Sequence, residues 1–167
     1  MKTIIFGVIT MAALFTSCLK NADKCSYPTI ETTAPTTQIN ALNGFLQSHG
    51  YISTQDPHGF FYNITAAGSG AIVANLCSNI TVTYVARLQS GVIFDQTAAG
   101  ATATFQLGSV IYGWQKGIPY VAAGGSISLY IPPALGYGAT DVKDNNGNIV
   151  IPANSNLFFD INVVAIN

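Results

Sequence analysis

Few side chains in this sequence could take part in chemistry, and one carboxylate stands among aromatic residues. Asp95 directly follows Phe94. Further aromatic or branched residues recur at strand ends and around a short central segment; they are Tyr84, Phe105, Val110, Ile111, Trp114, Tyr137 and Phe159. Taken singly, each is better explained as core. Because an apolar concavity with a few polar tips is the usual form of a small-ligand or peptide pocket, the grouping favours a binding site.

Other kinds of catalytic site lack the residues that they need. The sequence has no GxSxG motif, no glycine motif that could cradle phosphate, and no histidine near a candidate nucleophile. His49 and His58 stand in turn-like contexts, where we expect solvated loop residues rather than ligands, and there is no CxxC pair. The sequence therefore predicts no hydrolase or nucleotide chemistry, no metal site and no cofactor.

Charge is scarce along the whole chain. The 167 residues include six Lys and Arg against seven Asp and Glu, so that 8% of residues are charged, where about 25% is usual. This balance provides no basic surface for nucleic acid, and too few charges for a coiled coil. Since 49% of residues are hydrophobic, a sizeable core is available. Such a chain is either membrane-bound or a β-rich domain outside the cytoplasm.

The N-terminus indicates export. Lys2 precedes an apolar run, Thr3–Phe15, which is shorter than the roughly 20 residues of a membrane span but has signal-peptide length. The run ends in Leu14-Phe15-Thr16-Ser17-Cys18, which resembles the lipobox of bacterial lipoproteins, where the cysteine is acylated. We expect a lipoprotein signal peptide over 1–17, lipidation at Cys18 and a lipid-anchored location in the bacterial cell envelope. The alternative is an ordinary secretory signal cut nearby.

Two cysteines remain if Cys18 carries lipid. Cys25 and Cys77 would then be an even pair in an oxidising compartment. A bridge between them would close a loop of about fifty residues and stabilise the fold by up to about 4 kcal/mol on the chain-entropy model. It would tie the N-terminal segment to the main domain; the alternative is two unpaired thiols.

The mature chain divides into a tether, a helix and a strand-rich domain. Residues 18–35 are polar, rich in threonine and contain two prolines, which predicts a flexible tether. A helix from Thr36 or Thr37 to about Ser48 is expected within an N-terminal helical extension over 36–58. Its apolar face comprises Ile39, Leu42, Phe45 and Leu46.

Alternation of apolar and polar residues predicts the strands of the main domain, residues 59–167. After a first strand near residues 59–64, the four strong strands are 80–89, 102–107, 126–131 and 157–166. Residues 110–117 lie between the second and third of these and are long enough for two helical turns. The fold class predicted is α+β, a curved antiparallel sheet over one short helix.

Ordered segments of this domain resemble the FKBP-type peptidyl-prolyl isomerases. The segments are Val82-Thr-Tyr84, Leu88-Gln-Ser-Gly91-Val-Ile-Phe94-Asp95, Phe105-Gln-Leu107-Gly108, Val110-Ile-Tyr-Gly113-Trp114-Gln-Lys-Gly117, Ile131-Pro-Pro-Ala-Leu135-Gly-Tyr137-Gly138, Ile151-Pro-Ala-Asn154-Ser-Asn-Leu157 and Phe159-Asp-Ile161. They cover about residues 59–167 in unbroken order, and the helix before them resembles the N-terminal extension of bacterial members. The resemblance implies a half-barrel sheet wrapped around the short helix, with the substrate proline in the hollow between them.

The resemblance also implies a role for each residue at a matching position. Trp114 would form the pocket floor. The walls would be Tyr84, Phe94, Phe105, Val110, Ile151 and Phe159. The backbone N–H of Ile111 and the hydroxyl of Tyr137 would hold substrate carbonyls, and Asp95 would orient the site by hydrogen bonding. Because an unpaired buried carboxylate is costly, Asp95 should have a nearby donor, and we expect Tyr84 to provide it.

Four positions depart from the family pattern. Ala103 replaces the usual aromatic residue and thins one wall, Ala86 replaces a usual glycine, and two residues are missing between Gly108 and Val110. The loop over 139–150 is longer than in the smallest members. It would overhang the pocket and affect substrate choice, or be a tolerated hairpin with its turn at Asn146-Gly147.

The resemblance implies an exported, lipid-anchored prolyl isomerase that assists the folding of exported proteins. Its partners would be proline-containing peptides and unfolded exported chains, with macrolide inhibitors as further ligands, no nucleic acid, and the membrane through the anchor alone. The alternative is a chaperone or peptide-binding module that uses the same pocket with little or no turnover. Asp95, Trp114 and Tyr137 favour the enzyme, whereas Ala103 favours the alternative.

Overall fold

The computed structural model describes residues 25–73 and 75–167. The signal peptide predicted over 1–17 and the lipidation predicted at Cys18 lie outside the described residues. Within them, no helix combines the length and the apolar character that a membrane crossing requires.

The described residues form two α-helices and nine strands, of which seven build the main sheet and two a separate hairpin. In chain order they are α1 Thr36–Ser48, β1 Thr54–Gln55, β2 Phe61–Ala66, β3 Asn79–Leu88, β4 Ile93–Gln96, β5 Ala103–Gln106, α2 Tyr112–Gly117, β6 Ser126–Ile131, β7 Val142–Lys143, β8 Ile149–Ile151 and β9 Leu157–Ile166. The predicted helices and the four strong strands are confirmed. Strand β4 was not predicted. Its residues do not alternate in burial, so the alternation of apolar and polar residues that predicts the other strands is absent there.

The sheet is antiparallel, curved and unclosed, as the sequence predicts. Its strand order is β1-β2-β6-β9-β3, and the outer edge of β3 pairs with β4 at residues 85–87 and with β5 at residues 79–82. The two long strands β3 and β9 pair from Ile80↔Ile166 to Leu88↔Leu157. Because both strands alternate, their apolar side chains enter one core on the concave face.

The short helix α2 lies unusually close to the concave face. A Cβ added at Gly113 would lie 2.6 Å from Ile131 Cδ1, and one added at Gly117 would lie 2.6 Å from Leu129 Cδ2. Glycine at both positions therefore lets the helix backbone pack directly on β6. This close approach sets the depth of Trp114, which is buried between the helix and the sheet.

Helix α1 covers part of the opposite, convex face. Leu42 and Leu46 are fully buried there against Phe61, Tyr130 and Phe158. These three aromatic residues lie on β2, β6 and β9, at positions whose neighbours point into the concave core. The sheet thus separates two apolar clusters, of which the one on the concave face is larger.

The segment before α1 corrects the predicted flexible tether over 18–35 for its described part. Cys25 and Cys77 form a disulfide with a Cα–Cα distance of 5.5 Å. Ala34 is buried, and its N–H donates to the carbonyl oxygen of His58 at 2.9 Å. Composition predicted a polar linker, but the contacts are made by single side chains far apart in sequence, which produce no periodic pattern.

One further boundary differs from the sequence interpretation, and for one loop the structure supports the hairpin alternative. The predicted helical extension over 36–58 includes β1, which pairs with β2 and so belongs to the main sheet. The loop over 139–150 forms a hairpin, because β7 pairs with β8 and Gly147 adopts a φ of 86° at the turn. Hydrogen bonds from Asn148 to the Asp144 side chain hold this turn and lower the pKa of that carboxyl.

Candidate active site

A cavity of about 270 Å³ opens between the concave face of the sheet and α2. Its lining residues are Tyr84, Phe94, Asp95, Phe105, Ser109, Val110, Ile111, Trp114, Tyr137 and Phe159. Nine of these are the residues that the sequence selected for the pocket. The tenth selected residue, Ile151, is instead buried in the core, 3% exposed, on β8 opposite Val142. Trp114 is 4% exposed and still lines the cavity, so burial does not decide the question, and the place of Ile151 in the wall stays a prediction.

Trp114 forms a rigid floor because three aromatic rings hold it edge to face. Its ring centroid lies 5.5 Å from that of Tyr84, 6.0 Å from that of Phe105 and 5.3 Å from that of Phe159. The rings come from three strands, β3, β5 and β9. Each such pair contributes about 0.5–1.5 kcal/mol beyond the burial of its area. The indole N–H is buried without a hydrogen-bond partner among the described residues, so packing alone positions the ring.

Asp95 has the donor that the sequence predicts. The Tyr84 hydroxyl donates to Asp95 Oδ2 at 2.6 Å, because β3 and β4 are neighbours and place Ala86 opposite Asp95. Burial raises the pKa of Tyr84 well above its ordinary value, and the bond to Asp95 raises it further. Tyr84 is therefore a protonated donor at any physiological pH. Asp95 itself is exposed at the rim.

Besides the buried indole N–H of Trp114, two hydrogen-bond donors at the cavity are left without acceptors among the described residues. One is the hydroxyl of Tyr137, a residue 44% exposed. Burial and the charge of Asp95 raise the pKa of Tyr137, so this hydroxyl also remains protonated. The other is the backbone N–H of Ile111, just before α2. The cavity can therefore accept a ligand that carries carbonyl oxygens.

The turn that carries Tyr137 is fixed by the backbone around it. Pro133–Leu135 form a single 3-10 turn, and the N–H of Gly138 donates to the carbonyl oxygen of Pro133 at 2.9 Å. Gly138 adopts a φ of 69°, which glycine accepts without strain. The chain therefore reverses around Tyr137 and holds it at the rim of the cavity.

The unusual alanines lie away from the cavity lining. Ala103 is at the start of β5 opposite Val82, and Phe105 supplies the aromatic wall two residues later. Ala86 is fully buried between Asp95 and Phe159 in neighbouring strands. Residues 139–150 do not line the cavity either, so the hairpin reading of that loop fits the structure better than an overhang.

Sequence reasoning missed Ser109, which lines the cavity beside Val110. Its hydroxyl donates to the carbonyl oxygen of Gln106 at 2.7 Å and so tightens the 3-10 turn at Leu107–Ser109. A serine between a glycine and a valine has no distinctive pattern. Only its position next to predicted wall residues could have identified it.

A second polar cluster, which the sequence did not predict, lies on the other side of α2. His58 Nδ1 lies 2.7 Å from Asp56 Oδ1, and Nε2 lies 3.0 Å from Glu31 Oε2. His58 is thus not the solvated loop residue expected from its turn-like context, whereas His49 is exposed. Among the described residues, no group of three or more His, Cys, Asp or Glu side chains is arranged to hold a metal ion.

Comparison with known proteins identifies the family that shares this fold. A family model described as FKBP-type peptidyl-prolyl cis-trans isomerase matches residues 71–164. The isomerase FkpA of Buchnera aphidicola subsp. Schizaphis graminum is 36% identical over 155 residues, 89% of this chain and 56% of that protein. The isomerase Mip of Coxiella burnetii is 34% identical over 110 residues, 65% of this chain and 45% of that protein. The chain spans about half the length of the curated relatives it matches.

Solved structures agree with the family match. The peptidyl-prolyl isomerase of Pseudomonas syringae pv. tomato has a TM-score of 0.65 at 28% identity, over 82% of this chain and 99% of that one. FkpA from Escherichia coli has a TM-score of 0.65 at 29% identity, over 79% of this chain and 58% of that one. The family model covers more than half of the chain, in the region that builds most of the sheet, α2 and the cavity. The chain belongs to the FKBP-type peptidyl-prolyl cis-trans isomerase family.

Proposed function

We propose that this protein is a peptidyl-prolyl cis-trans isomerase that binds X–Pro segments of exported proteins in the cavity beneath Tyr137. The observation that carries the proposal is the combination within one cavity of an aromatic floor and walls, a carboxylate held by Tyr84, and two unpaired donors. Family membership supports the same reaction. The isomerase domain proposed over 59–167 would also include β1, which pairs with β2, and the helical extension before it would consist of α1.

The first contribution of the site is its apolar character. Rotation about an X–Pro bond faces a barrier of about 18–20 kcal/mol, because resonance gives the bond partial double-bond character. Water favours the charge-separated form that carries this character. A proline bound over Trp114, between Phe105 and Phe159, would leave water, and its bond would twist more easily.

The second contribution is the pair of free donors. The N–H of Ile111 and the hydroxyl of Tyr137 would hold carbonyl oxygens on the two sides of the twisting bond. Hydrogen bonds that fit the twisted geometry better than either planar form lower the barrier rather than only tightening binding. Asp95, which accepts the hydrogen bond of the Tyr84 hydroxyl, would orient the site by hydrogen bonding. No nucleophile takes part in these steps.

The alternative of a chaperone or peptide-binding module with little turnover uses the same cavity. It was favoured by Ala103, but that residue does not line the cavity. Asp95, Trp114 and Tyr137, which favour the enzyme, all do. The isomerase is therefore the better supported function, and macrolide inhibitors would compete with proline peptides for this cavity.

The envelope is the proposed location. A relative named outer membrane protein MIP, from Legionella longbeachae, is 35% identical over 111 residues. The Cys25–Cys77 disulfide suits an oxidising compartment. We retain the proposals of a signal peptide over 1–17 and a lipid anchor at Cys18. A Cys18→Ala variant should leave the membrane fraction, and unchanged retention would argue against the anchor.

An isomerisation assay on the purified full chain tests the function. We expect acceleration of cis-to-trans conversion in a proline tetrapeptide, measured without a coupling protease so that cleavage of the enzyme cannot interfere. Uncatalysed conversion takes tens of seconds, which makes the acceleration easy to detect. If the folded protein gave no acceleration but still bound unfolded chains, the isomerase proposal would be rejected in favour of the chaperone.

A further inference from the structure

The cavity has two kinds of wall, and only one of them belongs to the sheet. Tyr84, Asp95 and Phe159 lie on paired strands, where backbone ladders hold them. The wall segment, residues 107–111, belongs to neither a strand nor an α-helix and runs from a 3-10 turn to the start of α2. It nevertheless contributes Ser109, Val110 and Ile111 to the lining. This part of the site needs support from elsewhere in the molecule.

The strap, residues 25–34, reaches the back of the wall segment through Tyr27. The Tyr27 ring lies so close to Gly108 that a Cβ at that position would overlap it. Its hydroxyl donates to Gln106 Oε1 at 2.9 Å, and Gln106 Nε2 donates to the carbonyl oxygen of Cys77 at 3.2 Å. Cys77 is also bonded to Cys25 in the strap. The disulfide and these two hydrogen bonds therefore connect the strap at two points to Cys77 and Gln106, the latter directly before the wall segment.

The strap also holds α2 through Glu31. Lys116 Nζ donates to Glu31 Oε1 at 2.7 Å, and the Tyr112 hydroxyl donates to Oε2 at 3.2 Å. The N–H of Thr32 donates to the Tyr112 hydroxyl oxygen at 3.1 Å. The bonds from Lys116 and His58 lower the pKa of Glu31 to about 2, so Glu31 is charged at any physiological pH. Trp114, between Tyr112 and Lys116 in sequence, faces the cavity.

We propose that the strap holds the wall segment and α2 in the binding-competent position, and that Tyr27 and Glu31 are positioning residues for substrate. Their contacts lie on either side of Ile111, at Gly108 before it and at Tyr112 and Lys116 after it. Neither residue lines the cavity. The inference rests on the proposed function, since it assigns these residues to the same site.

The expected kinetic effect follows from how the strap acts. If the strap raises the fraction of molecules with an ordered wall, its loss lowers that fraction. The apparent Kd, which equals the intrinsic Kd divided by that fraction, then rises, while bound substrate restores the order. KM should therefore rise and kcat should change little. We expect Tyr27→Ala to raise KM about fivefold and Glu31→Gln about threefold. Tyr27→Phe keeps the ring on Gly108 and should recover most of the affinity lost in Tyr27→Ala.

The single tryptophan gives a direct readout of the site. Trp114 is 4% exposed, so acrylamide should quench its fluorescence weakly in the native protein. Tyr27→Ala and Glu31→Gln should increase quenching, and a saturating proline peptide should reverse the increase. Thr33→Ala is the matched control, because Thr33 is an exposed strap residue whose side chain makes no hydrogen bond with the described residues.

The two measurements separate the strap from the proposed function. Absence of isomerisation in the native chain would remove the proposed function, while quenching would still decide whether the strap orders the cavity. The strap inference is overturned if folded Tyr27→Ala and Glu31→Gln match Thr33→Ala in both KM and quenching. Should Tyr27→Ala not fold, Glu31→Gln, which preserves side-chain size, decides the question by the same measurements.

Discussion

Two tyrosine–aspartate pairs, on opposite sides of α2, have the same hydrogen bond and opposite surroundings. Tyr84 donates to Asp95 and Tyr120 donates to Asp56, both at 2.6 Å. At the cavity the tyrosine is 9% exposed and the aspartate is exposed. In the second pair the aspartate is 3% exposed and the tyrosine 40%. The hydrogen bond alone therefore does not indicate which pair could act on a ligand.

The number of partners separates the two aspartates. Asp56 Oδ2 accepts from Tyr120, while Oδ1 accepts the backbone N–H of His58 at 2.7 Å and lies 2.7 Å from its Nδ1. Asp95 has one donor among the described residues. A buried carboxylate with both oxygens occupied stabilises a fold. An exposed carboxylate with one oxygen occupied is oriented and still available to a ligand.

Removing the buried carboxylate should have the largest effect. Asp56→Ala leaves the Tyr120 hydroxyl and the His58 N–H groups without their acceptor, and should lower the free energy of unfolding by about 3 kcal/mol. Urea denaturation followed by circular dichroism measures the change. Asp56→Asn, which keeps an acceptor but not the charge, is the control and should lose less. The kcat/KM of folded Asp56→Ala should stay within about threefold of the native value.

The corresponding change at the cavity should lower activity more than stability. Asp95→Ala should lower kcat/KM by at least about tenfold, the usual weight of a hydrogen bond to a charged group. Its free energy of unfolding should fall by only about 1 kcal/mol, since Asp95 is exposed and only Tyr84 loses a partner. Asp95→Asn separates the acceptor from the charge. If Asp95→Ala were fully active, or as unstable as Asp56→Ala, the distinction between the two pairs would be wrong.

The same comparison explains what the sequence could predict. The Tyr84–Asp95 bond was predictable because Tyr84 and Asp95 lie in segments of a recognisable pattern, 11 residues apart, and a carboxylate among aromatic residues needs a donor. The long strands and α1 were predictable from periodicity, and α2 from the length of the segment between two strands. The place of Ile151 in the wall stays a prediction, because a family position specifies the strand but not how far its side chain reaches toward the cavity.

The Tyr120–Asp56 pair could not be predicted in the same way. Its members are 64 residues apart, and Asp56 lies in a short turn-like stretch with no apolar periodicity. The strap was likewise interpreted as a tether, since polar composition is the only local signal there. Contacts that join isolated side chains across the fold depend on tertiary geometry, which a single sequence does not contain.

A smaller effect is expected at the rim of the cavity. Tyr137→Phe removes a hydroxyl with no acceptor among the described residues but keeps the ring. The loss of one neutral hydrogen bond to substrate should lower kcat/KM about fivefold, with no change in the free energy of unfolding. The protease-free isomerisation assay measures this effect. Tyr120→Phe, the matched change in the other pair, should leave kcat/KM unaltered; equal losses in the two variants would contradict the assignment of Tyr137 to the site.

The smallest effect should appear at alkaline pH, in the second pair. The bond to Asp56 raises the pKa of Tyr120 from 10.0 to about 12, with burial as the lesser cause. A group whose pKa is raised by folding stabilises the native state fully below its unfolded pKa, and this contribution is lost as pH rises through the folded pKa. The native protein should therefore lose stability between about pH 10 and 12 more steeply than Tyr120→Phe. Because Tyr120 is partly exposed, solvent screening keeps the difference small. Urea denaturation across this range measures it, and identical slopes for the two proteins would mean that Asp56 does not hold the Tyr120 proton.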